Sequence, residues 1–351
     1  MSGIFSLLWG MLKNATSGNS SYITLGGTNS PYTATYTWTG SAYGTRYANP
    51  ATLPFGISDL ITFDNVTKNL AVVDDSYGLS TYPWSSAGYG TIYSDPVGWS
   101  NFTNAAYANA FNPLGNAIAT SGDPNPWVYA FPFTDGAGYG TVYSNPATLP
   151  TGIGRSVTWN PTGSHIAVGH DNTPFVSVYP WSSGFGTKIT NPATLPTGGV
   201  RSAVWNPENT VILTSHDITP FVTAYPWTGT AFGTKYANPT ILPVGAISSQ
   251  ASFSPAGTAI VAANNTTPFV NAYVWSNGFS TKYADPATAI AGNARGVSFD
   301  VSGKYVTIGH DIAPFVSTYN WTQATGFGTK VANPATSVGM GRVYGVQFSR
   351  T

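Results

Sequence analysis

The chain has 351 residues, with 13 basic and 13 acidic side chains, no net charge, and only 7% charged residues in all. No basic stretch offers the electrostatic footprint of a nucleic-acid or anionic-membrane partner, and no apolar run reaches the roughly 20 residues of a membrane helix. Cysteine is absent, which excludes disulfides and thiolate metal sites.

The first segment, MSGIFSLLWGMLKNATSGNS, differs in pattern from the remainder of the chain. Ile4, Leu7, Leu8, Met11 and Leu12 recur at helical spacing behind Ser2 as an N-cap, and Phe5 and Trp9 add apolar surface. No basic residue precedes the apolar run and no small-x-small cleavage site lies after it, so the segment does not read as a secretory signal. It reads as a short amphipathic helical arm, residues 1–19, ending in a polar linker. Such a helix is too short to persist alone in water and calls for a surface to dock on.

From residue 20 to 351 the chain repeats. An aromatic pair recurs as Tyr36/Trp38, Tyr82/Trp84, Phe131/Phe133, Tyr179/Trp181, Tyr225/Trp227, Tyr273/Trp275 and Tyr319/Trp321, its second members 46, 49, 48, 46, 48 and 46 residues apart. A period in the forties with strand-like content is the signature of a β-propeller with one blade per repeat. The fourth repeat shows the unit: strands over 155–160, 165–170, 175–181 and 187–190, separated by turns rich in Pro, Gly, Asn and Asp. Lys188, and at the same position Arg46, Lys235, Lys282 and Lys330, place a charge on the outermost strand, which blunts a sheet edge. An Asn-Pro or Asp-Pro, such as Asn191-Pro192, then starts the connection to the next unit.

The two chain ends complete each other. Residues 345–349 match an innermost strand, and residues 21–26, 32–38 and 44–47 match the second, third and fourth strands of a blade. The expected fold is therefore all-β: a seven-bladed β-propeller of four-stranded antiparallel blades, closed by a C-terminal inner strand pairing with the N-terminal strands, plus the short helical arm.

The unit resembles the WD-repeat propellers. It has a Pro/Gly turn after the inner strand (Asn160-Pro161-Thr162-Gly163, Ser254-Pro255-Ala256-Gly257), an Asp after the second strand and a Trp ending the third. No unit has Asp after its Trp, so the hydrogen-bond network of that family is not implied. The phrase GFGTKxxNPATLP, followed by IAVGHDxTPFVSxYPW, resembles repeats of tailed-bacteriophage proteins regarded as virion components.

One polar constellation stands out. Arg155, Arg201 and Arg295 open inner strands, and Asp171, Asp217 and Asp311 follow second strands 16 residues later, each preceded by His170, His216 or His310. Where Ser249 replaces the Arg, Asn265 replaces the Asp; Asp59 and Asp75, and Tyr107 and Asp123, occupy the same two positions. The repeat puts each Arg and Asp at one end of a blade, within reach of an ion pair. The three His invite a metal, but symmetry-related positions round a ring are too far apart for bonds of about 2 Å to one ion. The set reads as a structural polar network or a ligand face.

No GxSxG elbow, phosphate loop or convergent acid–base pair is evident. The sequence-level expectation is thus a non-enzymatic virion structural or appendage protein, made in the host cytoplasm without a signal peptide and needing no cofactor or metal. The arm (Ile4, Phe5, Leu7, Leu8, Trp9, Met11, Leu12) would bind other virion proteins through residues 1–18. The propeller would serve assembly or adhesion to a host-surface glycan or protein, with no nucleic acid and no membrane insertion. Two rival expectations are a lectin-like glycan binder using Trp99, Phe102 and Trp127, and a cellular WD-type interaction scaffold.

Overall fold

The computed structural model describes residues 20–64, 66, 68–74, 78–97, 105–123, 125–246, 250–335 and 339–350. The arm residues Ile4 to Leu12, and Asp75, Trp99, Phe102 and Ser249, lie outside the described residues.

Among the described residues the chain forms seven antiparallel sheets arranged as a seven-bladed propeller, with no helix. Blade 1 takes its inner strand, Val343–Phe348, from the C-terminus and its other three, Tyr22–Gly27, Thr33–Trp38 and Tyr43–Arg46, from the N-terminus. Ile23 pairs with Phe348 and Leu25 with Val346, so the ring is shut by a sheet shared between the two ends. Ser349 Oγ adds hydrogen bonds from the Ser21 and Tyr22 backbone N–H groups at 2.9 and 3.1 Å.

The core lies between blades rather than in the centre. Each interface holds its own apolar cluster, such as Val200, Ala203 and Trp205 of blade 5 against Val176 and Val178 of blade 4. The aromatic pair of the third strand faces the preceding blade: Trp181 meets Tyr143 edge-on at 4.9 Å. The tyrosine of the pair reaches the connection arriving from that blade. Tyr179, Tyr225 and Tyr319 each donate a hydroxyl hydrogen bond at 2.8 Å, to the carbonyls of Thr148, Thr194 and Thr288. This explains why the Ala-Thr-Leu-Pro stretch is so regular: it is a strut spanning two blades.

Local chemistry sets the turns. In the first turn of blade 4, Asn160 Oδ1 accepts from the His165 N–H at 2.8 Å and Gly163 stands at φ 70°. Blade 5 fills the same left-handed position with Asn209, the residue that tolerates it best after glycine.

Two expectations need correction. The third strand of blade 4 starts at Val176, not 175, because Phe175 is left-handed (φ 69°) and its N–H bonds the Asn172 carbonyl at 2.7 Å to close the preceding turn. The expected outer strand over 187–190 does not form; what remains is one bridge, Trp181 with Phe185, and hydrogen bonds from the Gly186 and Ile189 N–H groups to the Pro180 and Val178 carbonyls, each at 2.8 Å. The cause is Pro180, which sits between the aromatic pair and has no N–H for the outer strand. Pro226 does the same in blade 5, and beside Pro83 and Pro132 the outer strands Gly88–Tyr89 and Gly138–Tyr139 have two residues each. Blades 1, 6 and 7 carry Thr37, Val274 and Asn320 there, and their outer strands run to four or five residues.

Four of the outer-edge cations, Arg46, Lys188, Lys235 and Lys282, fold back on the Asn or Asp before the connecting proline. Lys188 Nζ donates to Asn191 Oδ1 at 2.6 Å, Arg46 Nη2 to Asn49 Oδ1 at 3.0 Å, and Lys282 pairs with Asp285. Two features that read separately in sequence are one contact.

Candidate functional site

Each described inner strand except the short one of blade 6 breaks its pairing at its second residue. In blade 4 Gly154 pairs with His170 and Ser156 with Gly169, leaving Arg155 as a one-residue bulge. The same bulge falls at Arg201, Arg295, Asp59, Tyr107 and Tyr344. Bulges re-aim side chains and gather beside functional sites. Here they release six side chains of three chemical kinds from the sheets, at the end where the inner strands enter the ring. Further along, the half-exposed inner-strand positions are Leu60, Thr62, Ala110, Thr158, Val204, Ser252 and Gln347, all uncharged. Among the described inner-strand positions, the charged side chains are therefore all at the bulges.

The structure brings the expected Arg and Asp residues together. Arg155 binds Asp171 through Nε and Nη2, the latter 2.7 Å from Oδ2. Arg295 binds Asp311 in the same fork at 2.9 and 2.8 Å, with Asn293 Nδ2 adding a third hydrogen bond at 3.1 Å. Arg201 differs. It reaches Asp217 at 2.9 Å and also Asp171 of the preceding blade at 3.0 Å. Arg155 lies over the Tyr107 ring at 4.5 Å and Arg295 over Tyr344 at 5.4 Å. The result is a continuous ladder, Tyr107–Arg155–Asp171–Arg201–Asp217, across blades 3, 4 and 5. Burial alone would raise the Asp311 carboxyl; the Arg295 hydrogen bond and charge outweigh it and hold the group below the usual carboxylate range.

The three His do not join that ladder. His170, His216 and His310 are wholly buried. Burial pushes each down to about 4, so all three are neutral at physiological pH. Their Nε2 atoms sit 3.0 Å from Ser177 Oγ, Thr223 Oγ1 and Ser317 Oγ on the next strand. His216 Nδ1 lies 2.7 Å from the Ile218 carbonyl, so that nitrogen carries the proton. They brace the sheet beneath the mouth. No group of three or more His, Asp or Glu arranged for a metal occurs among the described residues.

Sequence reasoning missed Tyr344 and the interblade reach of Arg201. The recurrence of Arg at a fixed place in successive repeats was the available signal. Trp127, an expected exposed stacking residue, is half-buried at φ 63° in the turn leading to the third strand of blade 3. A shallow groove beside Tyr43, Arg46 and Tyr47 follows the outer edge of blade 1 and gathers no convergent reactive groups.

No family model matches the chain, and no curated protein matches it. Solved structures do. A 6-phosphogluconolactonase candidate from Bacteroides uniformis superposes with a TM-score of 0.73 at 14% identity, over 94% of this chain and 100% of its own. The periplasmic gluconolactonase of Pseudomonas aeruginosa gives 0.70 at 14% identity, over 93% and 99%. A protein from Lactobacillus plantarum gives 0.70 at 13%, over 94% and 99%. At such identities the likeness is one of fold.

These neighbours correct the functional expectation. The propellers that match nearly end to end include proteins named as lactonases, not virion parts or WD-repeat scaffolds. The non-enzymatic virion reading, with its adhesion and scaffold variants, is overturned on that ground. The resemblance drawn from the repeats holds for the propeller and stops there.

Proposed function

We propose that the protein hydrolyses the lactone of a sugar acid at the charged mouth of the channel. The observation that carries this reading is the ring of bulges, which delivers guanidinium, carboxylate and phenol groups to one opening of the channel. The lactonase names of the solved neighbours favour it over other hydrolytic chemistries.

The chemistry is undemanding. Water adds to the lactone carbonyl carbon, the ring C–O bond breaks, and a hydroxy acid results. Arg155 and Arg201 stabilise the negative charge that develops on the carbonyl oxygen. Asp59 takes the proton from water and returns it to the departing ring oxygen. Tyr107, stacked beneath Arg155, gives the sugar ring a flat face to lie on.

The test is hydrolysis of glucono-1,5-lactone by the purified full chain, followed in a pH-stat against spontaneous opening. Acceleration is expected, with Asp59→Asn losing about 100-fold or more of it. A rate equal to buffer with a folded protein sinks the reading.

A further inference from the structure

We infer that the substrate of this mouth is an uncharged, polyhydroxylated lactone, and that a phosphorylated one is discriminated against. The assignment rests on reading the mouth as a lactone site, and it follows from where the cations are. Of the 13 basic residues only Lys13 lies outside the described residues. Arg46, Lys188, Lys235, Lys282 and Lys330 lie at the ring's outer edge, and Lys68, Lys304 and Arg350 lie at the far face. Four arginines remain at the mouth. Arg155, Arg201 and Arg295 are held by Asp171, Asp217 and Asp311 in hydrogen-bonded ion pairs at 2.7 to 3.0 Å. The fourth, Arg342, is exposed, and its charge acts on Asp311. Asp59 and Asp123 add two more carboxylates at the same level.

Among the described residues, four cations thus meet at least five carboxylates, with Asp74 also buried at that end of blade 2. A phosphate dianion needs uncompensated guanidinium or ammonium groups. Beyond the single exposed Arg342, it would have to break ion pairs that are about three-quarters buried, leaving carboxylates beside it. Hydroxyl groups face no such conflict. They donate to the carboxylates and accept from the guanidiniums, and the ladder alternates the two kinds of partner from blade to blade.

The measurement is calorimetric binding to the full chain of two ring lactams that cannot be hydrolysed, one derived from gluconic acid and one from its 6-phosphate. The uncharged lactam is expected to bind at least tenfold more tightly, with little dependence on salt. Asp217→Asn, which frees one hydrogen-bonding arm of Arg201, is expected to narrow the gap several-fold, and Asp171→Asn to narrow it further. Equal or tighter binding of the phosphorylated lactam by the wild-type chain overturns the inference, as does failure of both lactams to bind. Tight binding of the uncharged lactam without any hydrolysis of its lactone sinks the proposed reaction and leaves this selectivity standing.

Discussion

Asp171 accepts a hydrogen bond from Arg201 at 3.0 Å although the two side chains belong to successive blades. The same carboxylate holds both arms of Arg155. It is a shared counterion, whereas Asp311 serves Arg295 within one blade. Asp171→Ala should therefore cost more than Asp311→Ala, by about 2 kcal/mol against about 1, both moderated by partial solvent exposure. Urea unfolding measures both. A double-mutant cycle on Asp171 and Arg201 should return a coupling of about 1 kcal/mol. Equal costs and no coupling would mean the interblade bond is idle.

The buried histidines give stability a pH dependence of known sign. Each is held neutral, with its folded value lowered by burial from 6.5 to about 4. As pH falls below 6.5 the unfolded chain binds their protons first. Stability is full above that point, declines between 6.5 and 4, and loses nothing more from these groups below. Three such groups correspond to a slope of about 4 kcal/mol per pH unit within the window. His310→Asn, which copies the Asn264 that blade 6 carries at the same place, should remove about a third of that slope. Denaturant midpoints at pH 7, 5.5 and 4.5 check it.

The strut from Tyr179 to the Thr148 carbonyl predicts a contrast. Tyr179→Phe removes a 2.8 Å hydrogen bond and should cost about 1 kcal/mol. Tyr273 occupies the same position in blade 6, but its hydroxyl has no partner among the described residues. Tyr273→Phe should be neutral or slightly stabilising. Thermal unfolding of the two variants side by side tests this, and equal losses would remove the strut from the account.

Pro180 is predicted to be the reason blade 4 lacks a regular outer strand. Pro180→Val restores the missing N–H, and blade 6, with Val274 at that position, shows a four-residue outer strand, Phe279–Lys282. Hydrogen exchange should become slower by about tenfold across residues 185–189 in the variant, the effect of ~1.4 kcal/mol of added local stability. Unchanged exchange would assign the short strand to another cause.

The Pro180 case shows how much detail was legible. The prolines stand in plain view in Tyr-Pro-Trp and Phe-Pro-Phe, yet the repeat period led to equal outer strands in every blade. Averaging over repeats hides a single missing donor. Phe175 was misplaced for a related reason: alternation put it in register with Tyr179 and Trp181, but the tight turn before it needs a left-handed residue there.

The sequence by itself determined the propeller, its seven units and the pairing of Phe348 with the strand at Ile23, because each repeat must bury its aromatic face on a neighbour and only a closed ring leaves none bare. It also determined which Arg and Asp belong together within a blade, since a fixed separation of 16 residues spans one hairpin. The tertiary structure decided what those residues make. A bulge adds one residue to a strand without changing its composition, so the sequence pattern carries no mark of it, and that extra residue takes Arg155, Arg201 and Asp59 out of the ladder pairing of their strands. Contact between Arg201 and Asp171 depends on the distance from one blade to the next, which is set by side-chain packing at the interface and not by spacing along the chain.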